Sequence, residues 1–438
     1  MDIGVITIIL FSSLIIFLII GVPLTMVLGG TAVIFSLLLW GPSSLNQIVF
    51  NTFGTMQNFI LVAIPLFIFM GNILEKSGIA KSLYEAMYKW FGAIPGGLAI
   101  GTVIVCMIFA AMCGISGAAT VSMGLIALPS MLEKRYDKSI AIGCIAAGGA
   151  LGILIPPSVP FILYGLSSGE SIGALFASGL LPGVLLGSLF IGYILIRCLL
   201  NKTLAPPLTK EERPNWKERF LSLKNLILPM LLILSVLGSI FKGIATPSEA
   251  AAVGALGAIG CAAVSRTLTL HVIKEACYVT LRLSSMLVWI IIGATAFTSL
   301  YTALGAIELI KKAMIALPIS KYAILFGMQF IIFILGMLLD PGGIILITVP
   351  VFVPIIKTLG FDPIWFGSLF MINMEMAYLT PPFGFNLFYM KSIVPKGVTM
   401  EHIIKSIVPF VCLQGLCLII VIIFPDIALW LPRKIFKI

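Results

Sequence analysis

Long apolar runs separated by short polar segments make up most of the chain. No Asp, Glu, Lys or Arg occurs between Lys89 and Glu133, or between Arg282 and Glu308. A helix needs about 20 mainly apolar residues to cross a bilayer, whereas the strands of a membrane barrel alternate apolar and polar residues. Because the apolar runs are continuous, the pattern predicts an all-α polytopic membrane protein.

The runs predict a similar set of helices in each half of the chain. The first half is predicted to hold spans at 3–20, 22–40, 57–75 and 172–197, a re-entrant helical hairpin at about 94–132 and a broken helix at about 139–165. The second half is predicted to hold spans at 225–241, 247–265, 283–304 and 406–431, a hairpin at about 320–357 and a broken helix at about 363–390. Residues 201–224 are polar and proline-bearing, which predicts a cytoplasmic linker between a first repeat at 1–200 and a second repeat at 225–438.

Distinctive residues recur at one offset in the two halves. Aligning Pro156-Pro157 with Pro381-Pro382 gives an offset of 225 residues (381 minus 156). Without a gap, the same offset pairs Gly117 with Gly342, Pro129 with Pro354 and Asp137 with Asp362. The sequence therefore predicts an internal duplication. About five crossings and one re-entrant hairpin per half would make the two repeats inverted, as in many secondary transporters.

The cationic residues indicate an orientation in the membrane. With the N-terminus and Asp2 placed on the periplasmic side, nineteen of the 27 Lys and Arg residues fall in the predicted inner segments. That bias agrees with the positive-inside rule. The basic C-terminal tail, with Arg433, Lys434 and Lys437, falls outside and fits this orientation badly.

Two further stretches, 76–92 and 305–317, are amphipathic at helical spacing, and each precedes a predicted hairpin. We expect them to lie flat at the membrane interface. An ordinary surface helix would show the same pattern. Their matching positions in the two halves favour a shared role as arms that hold a moving element.

Composition excludes several classes of function. The chain is 60% hydrophobic and 10% charged, against about 25% charged residues in soluble domains. We attribute the net charge of +10 to cationic loops beside anionic lipid, not to nucleic-acid binding. There are two histidines and no nucleotide-binding or hydrolase motif, so we expect no ATP hydrolysis and no enzyme activity. The eight cysteines lie mostly in apolar runs and are predicted to be buried.

The first candidates for chemistry are the tips of the two predicted hairpins, at 114–120 and 339–343. Irregular backbone at membrane depth is costly unless it faces protein or a wet cavity. Glycine allows the chain to reverse and lets a ligand approach the backbone. Close helix packing through small residues is the alternative, and it is our interpretation of Gly148, Gly149 and Gly152.

The second candidates are the two Pro-Pro breaks, at 155–158 and 380–386. Consecutive prolines remove amide donors and open the helix, so that freed carbonyls can bind a hard cation such as sodium. Ser158, Thr380 and Asn386 would add side-chain oxygens. A proline kink that only shapes packing is the alternative.

Acids within apolar runs are the third group of candidates, because intramembrane ionisable groups are expensive. Asp340 lies on the second tip and could contribute to a cation site. Glu375 and Asn373 could do likewise, or could be hydrogen-bonded structurally. Glu249 follows Thr246-Pro247-Ser248 and is predicted to be a structural residue at a helix start.

Three regions together resemble the large membrane subunit of tripartite ATP-independent periplasmic (TRAP) transporters. They are GISGAATVSMGLIALPSMLEKRYDKSIAIGCIAAGGALGILIPPSVPFILYG at 114–165, GIATPSEAAAVGALGA at 243–258, and the segment at 339–388 that begins LDPGGIILITVPVFVP and ends LTPPFGFNLF. The resemblance extends over essentially the whole chain. It implies an elevator-type transporter that moves a carboxylate substrate inward with sodium, in the cell inner membrane.

The resemblance also implies specific sites and partners. The first sodium site would combine Gly114, Ser116 and Gly117 with Pro156, Pro157 and Ser158. The second would combine Asp340, Gly342 and Gly343 with Thr380, Pro381 and Pro382. The substrate would lie between them, near Ser116 and Asn386. Sodium is the coupling ion and no other cofactor is expected; the implied partners are a separate small four-helix membrane subunit and a periplasmic substrate-binding protein.

Two other functions remain open from the sequence. One is a carboxylate or drug exporter that works without a binding protein. The other is a structural or channel-like membrane component, which would tolerate mutation of Ser116 and Thr380. The sequence does not identify the substrate, which could be a C4-dicarboxylate, a sialic acid, a sugar acid or a keto acid.

Overall fold

A computed structural model describes residues 3–114, 116–209, 211–315 and 318–437. Within these ranges all regular secondary structure is helical, as predicted. The first half contains ten α-helices: α1 (Ile3–Ile19), α2 (Leu24–Trp40), α3 (Leu45–Met56), α4 (Ala63–Lys76), α5 (Ile79–Phe91), α6 (Gly97–Cys113), α7 (Ser116–Glu133), α8 (Lys138–Ala150), α9 (Val159–Ser168) and α10 (Ile172–Leu200).

The described residues from 211 onwards form eleven α-helices. They are α11 (Trp216–Ser222), α12 (Lys224–Phe241), α13 (Pro247–Val264), α14 (Leu270–Ala303), α15 (Ala306–Ile315), α16 (Lys321–Gly336), α17 (Pro341–Thr358), α18 (Pro363–Tyr378), α19 (Phe385–Ile393), α20 (Met400–Ile423) and α21 (Asp426–Phe436). Seven helical segments in the described ranges are long and apolar enough to cross a membrane, and several shorter apolar helices accompany them. The chain is a polytopic membrane protein.

Helix pairs occupy the ranges of the two predicted hairpins and the two predicted broken helices. Helices α6 and α7 form the first hairpin, and α16 and α17 form the second. The first broken helix is α8 and α9, joined by a 3-10 turn at Leu151–Ile153 and the Pro156-Pro157 pair; the second is α18 and α19, joined through Pro381-Pro382. Glycine at the tips and proline at the breaks mark these positions in the sequence, because both residues interrupt regular helices.

The bounds of two predicted spans are wrong. Helix α14 begins at Leu270, not at 283, because the Thr269 side chain caps its first turn and charged residues are tolerated where the helix extends beyond the apolar run. The span predicted at 406–431 is divided into α20, which begins after the Thr399 cap, and a separate α21, because the chain leaves the helix at Phe424. Helix α3 was not predicted.

The amphipathic stretches predicted at 76–92 and 305–317 correspond to α5 and α15, although residues 316–317 lie outside the described ranges. Six of the eight cysteines are buried as expected, but Cys277 and Cys412 are exposed. Both lie on helix faces that other helices of this chain do not cover. The apolar sequence around them does not indicate which faces of a helix are covered.

Element bounds and contacts repeat between the halves at the offset of 225 residues. Helix α7 covers 116–133 and α17 covers 341–358, while Asp137 and Asp362 cap the N-termini of α8 and α18. Equivalent helices of the two halves make equivalent contacts with the opposite half. Helix α2 contacts α14 and α4 contacts α13; α8 contacts α20 and α10 contacts α18; α7 contacts α19 and α9 contacts α17. Most helix–helix contacts of each half are therefore made with helices of the other half.

The polar segment at 201–224 is bound closely to the base of the first hairpin. The backbone N–H of Leu208 donates to Gly92 O at 2.8 Å, and that of Gly96 donates to Ala205 O at 3.0 Å. Lys134 forms an ion pair with Glu212, and the indole N–H of Trp90 donates to Arg219 O at 3.0 Å. The predicted surface linker therefore has a fixed path, with buried side chains of its own.

Candidate functional site at the hairpin tips and helix breaks

The first hairpin tip contacts the first helix break directly. Gly114 ends α6 with a φ of +64°, and a Cβ at this position would lie 2.6 Å from the carbonyl oxygen of Pro157. The backbone N–H of Val159 donates to the Gly114 carbonyl at 3.4 Å. Ile115, next in the predicted tip, lies outside the described ranges. Glycine is required here because any side chain would push the tip away from the break.

Ser116 and Asn386 meet across the two halves. Ser116 Oγ donates to Asn386 Oδ1 at 2.8 Å, and Asn386 Nδ2 donates to the carbonyl oxygen of Ala146 at 3.2 Å. Both side chains are buried, with exposed fractions of 2% and 0%. The two residues predicted to lie near the substrate are therefore in contact with each other, because α7 packs against α19.

The remaining residues of the first predicted site lie in the closed interior of the break. Pro156, Pro157 and Ser158 are all buried. The hydroxyl of Ser158 donates to Ile153 O within the same break. Gly117 packs against Tyr389 so closely that a Cβ would lie 2.8 Å from the ring. Hydroxyl and carbonyl oxygens thus converge around the first tip, from residues of both halves.

Asp340 of the second predicted site acts as a helix cap. Its Oδ2 accepts hydrogen bonds from the backbone N–H groups of Gly342 at 3.0 Å and Gly343 at 3.4 Å, at the start of α17. A Cβ at Gly343 would lie 2.1 Å from Leu24 of α2, so this tip packs tightly against the first half of the chain. A carboxylate at a helix N-terminus is stabilised by the aligned peptide dipoles.

The second break is more open than the first. Pro381 and Pro382 are exposed, and Thr380 is half-buried with its hydroxyl donating to Met376 O at 2.7 Å. The backbone N–H of Phe383 donates to Met337 O at 3.2 Å, which joins this break to the second hairpin. Tip and break are thus adjacent in both halves, but their surroundings differ.

Tyr389 is a candidate residue that the sequence reasoning missed. Its ring covers Gly117 of the first tip. The only sequence signal is that Tyr389 corresponds to Tyr164 at the offset of 225 residues. Tyr164 has a different contact, because its hydroxyl donates to Pro363 O at 2.7 Å. Tyr389 therefore joins the first tip to α19, the helix that follows the second break.

The other intramembrane polar residues have separate positions. Glu249 forms a capping box with Thr246, as predicted: the carboxylate accepts from Thr246 N at 2.8 Å. Asn373 donates to Gln329 Oε1 at 2.7 Å, so it is hydrogen-bonded structurally and is not at either tip. In the described part of the chain, no three His, Cys, Asp or Glu residues cluster as metal ligands would.

A cavity of about 450 Å³ lies apart from the tips, between α3, α9, α14 and α17. Asn51 and Ser299, whose side chains are joined by a 2.7 Å hydrogen bond, contribute to its polar wall. None of the predicted site residues lines it. We therefore place the candidate site at the tips and breaks, where oxygens of both halves converge.

The family described as the tripartite ATP-independent periplasmic transporter, DctM component, matches residues 11–427. The chain belongs to this family. It is 34% identical over 399 residues to the C4-dicarboxylate TRAP transporter large permease protein DctM of Pseudomonas aeruginosa, covering 91% of this chain and 92% of that one. It is 28% identical to the sialic acid TRAP transporter large permease protein SiaM of Vibrio cholerae, over 94% of this chain and 95% of that one.

A third relative of this TRAP permease is the isethionate TRAP transporter permease protein DctMQ of Oleidesulfovibrio alaskensis, 31% identical over 96% of this chain and 66% of that one. Among solved structures, the YdaH transporter of Alcanivorax borkumensis has a TM-score of 0.62 at 15% identity, covering 97% of this chain and 98% of that one. The MtrF efflux pump of Neisseria gonorrhoeae also has a TM-score of 0.62, at 16% identity over 90% and 85%. These similarities establish the transporter fold. The permease is thus a transport component and not an enzyme.

Proposed function

We propose that this TRAP large permease imports an organic acid together with sodium. The C4-dicarboxylate and sialic acid permeases, which it matches over nearly their full length, support a carboxylate substrate. The observation that carries the proposal is the contact of Ser116 with Asn386, which joins the first tip to the segment after the second break. A substrate that displaced this hydrogen bond would contact both halves at once.

The chemistry of the two tips suits sodium, a hard cation that prefers oxygen ligands. The first tip offers the hydroxyls of Ser116 and Ser158 and the backbone around Gly114, Gly117, Pro156 and Pro157. The second offers Asp340, Thr380 and the backbone around Gly342, Gly343, Pro381 and Pro382. Neutral oxygens dominate the first set, whereas the second includes one carboxylate, so we propose that the two sites differ in affinity.

The reciprocal packing supports two inverted repeats and an elevator movement. In this proposal α1–α4 and α12–α14 form a stationary scaffold, and the hairpins with the broken helices and α10 and α20 form the moving unit. Helices α5 and α15 lie between these groups as arms. Close crossing of the scaffold helices supports this division, since a Cβ at Gly293 of α14 would lie 3.0 Å from Thr25 O of α2.

We propose the inner membrane as the location, with a periplasmic N-terminus. The partners would be a small membrane subunit and a periplasmic substrate-binding protein. The extra length of the DctMQ relative, of which this chain covers 66%, leaves room for such a subunit. Large apolar side chains of α1 and α3, including Ile8, Ile16 and Phe50, are exposed and would pack against lipid or that subunit.

Uptake into proteoliposomes tests the proposal. The permease, its small subunit and its binding protein should accumulate a radiolabelled organic acid under an inward sodium gradient. Equal uptake with potassium in place of sodium would contradict sodium coupling. Uptake without the binding protein would favour the exporter-like alternative, and uptake unaffected by S116A and T380A would favour a channel-like component.

A further inference from the structure

Glu375 of α18 and Gln414 of α20 are both completely buried, with exposed fractions of 0%. Neither carboxyl oxygen of Glu375 and neither polar atom of Gln414 makes a hydrogen bond of good geometry to any described residue. The two side chains are nevertheless neighbours, and the carboxyl group of Glu375 also lies beside the backbone N–H of Leu154. Buried polar groups of native proteins are almost always paired, so four unpaired atoms at one place need an explanation.

The donors and acceptors of this pair match only when Glu375 carries a proton. An ionised carboxylate only accepts, so it can pair with the Gln414 N–H but offers no donor to Gln414 Oε1. A protonated carboxyl group donates its O–H to Gln414 Oε1 and accepts the Gln414 N–H in return. This reciprocal pairing gives partners to all four atoms.

The surroundings of Glu375 contain no compensating charge. None of the ion pairs between described residues includes it. The titratable neighbour on α20 is Cys417, a buried thiol. A bare carboxylate without a cation is strongly disfavoured in an apolar interior. The adjacent N–H groups of Leu154 and Gln414 can donate to an acid oxygen and cannot coordinate a sodium ion.

We propose that Glu375 holds a proton throughout the transport cycle and that the neutral Glu375–Gln414 pair fixes α18 to α20 beside the first helix break. Leu154 lies two residues before Pro156, so the pair connects the second half to the point where the first broken helix opens. Glu375 is then a positioning residue. It neither binds sodium nor gives up its proton during transport. The transport readouts below rest on the proposed function, but the spectroscopic readout does not.

Infrared difference spectroscopy of the purified full chain tests the protonation. Wild-type protein minus E375Q should show the C=O stretching band of a protonated carboxylic acid, and the band should persist from neutral to strongly alkaline pH. The control is E401Q, which removes an exposed acid of α20, the helix that carries Gln414. Absence of a band specific to Glu375, or its loss near neutral pH, would overturn the proposal.

Uptake and stability test the positioning role. E375Q can form the same reciprocal pair as an amide, so its rate, pH profile and sodium half-saturation should stay within about threefold of wild type. E375L and Q414L each leave one polar group unpaired and should lower thermal stability, whereas the double variant E375L/Q414L should recover most of the loss. Abolished uptake or an altered pH profile in E375Q, or additive losses in the double variant, would overturn the proposal.

Discussion

The hydroxyl of Ser116 lies 2.8 Å from the side-chain oxygen of Asn386, although 270 residues separate them along the chain. One residue starts the second helix of a hairpin in the first half, and the other follows a helix break in the second half. The contact exists because α7 packs against α19. We propose that the substrate binds near this hydrogen bond.

Removing either side of this contact should weaken uptake. In S116A one hydrogen bond worth about 1 kcal/mol is lost, so we expect an initial rate reduced by about three- to tenfold. N386A also loses the bond to Ala146 O and should be more severely impaired. Initial-rate measurements on proteoliposomes check both values. If the double variant S116A/N386A loses as much as the two single losses combined, the side chains act independently and the interpretation fails.

Replacing Gly114 should disrupt the first tip. In G114A a Cβ would lie 2.6 Å from Pro157 O and the residue would keep a left-handed φ of +64°. We expect at least about tenfold slower uptake together with a lower melting temperature.

Gly169 gives a matched control for G114A, because its φ is +74° and its Cβ would meet no atom within 4 Å. G169A therefore carries the backbone strain of about 1 kcal/mol without the clash. Near-normal uptake in G169A would assign the defect of G114A to the contact between tip and break. Equal defects would show that backbone strain alone is responsible.

Substitutions of Asp340 can separate its role as a helix cap from the effect of its negative charge. Asparagine is as good an N-cap as aspartate, so D340N should keep the fold but remove the charge, whereas D340A should also lose about 1 kcal/mol of helix stability. We expect a higher sodium half-saturation in both variants and a lower melting temperature only in D340A. An unchanged sodium dependence in D340N would remove the carboxylate from the proposed cation site.

The ion pair of Lys134 with Glu212 should make the stability of the folded linker depend on pH. The hydrogen bond from Lys134 lowers the pKa of Glu212 below its ordinary value of 4.5. A group whose pKa is lower in the folded state stabilises that state above its ordinary pKa, and the contribution disappears as the pH falls through the lowered value. Because Glu212 is exposed, the effect is small and screened by salt. Hydrogen exchange should show faster opening of 203–209 in acid than at neutral pH, with no such difference in E212Q.

Glycine and proline explain why so much of the fold is predictable. The hairpin tips and breaks follow from Gly114, Gly342 and the two Pro-Pro pairs, whose effect on the backbone is local. The start of α14 is not predictable from apolar runs, because Lys274, Glu275 and Arg282 belong to a helix that continues past the apolar segment. Apolar runs do not predict the start of α21 either, because the apolar pattern is continuous from α20 into α21.

The sequence predicts residues for the candidate site but not the contacts between them. Ser116 is recognisable in the first tip and Asn386 after the second break, yet their hydrogen bond depends on how α7 packs against α19. Tyr389 contacts Gly117 for the same reason. The unequal exposure of the two Pro-Pro pairs also depends on neighbouring helices, which an offset of 225 residues does not specify.

The attachment of the linker to the first hairpin has a mechanical consequence. Leu208 is hydrogen-bonded to Gly92 near the hairpin base, and α11 begins only eight residues later, at Trp216. A chain of that length extends to at most about 29 Å. If the hairpin travels while α11 stays with α12, this segment sets the longest stroke that the covalent chain permits. Shortening it would limit the movement without altering any residue at the tips.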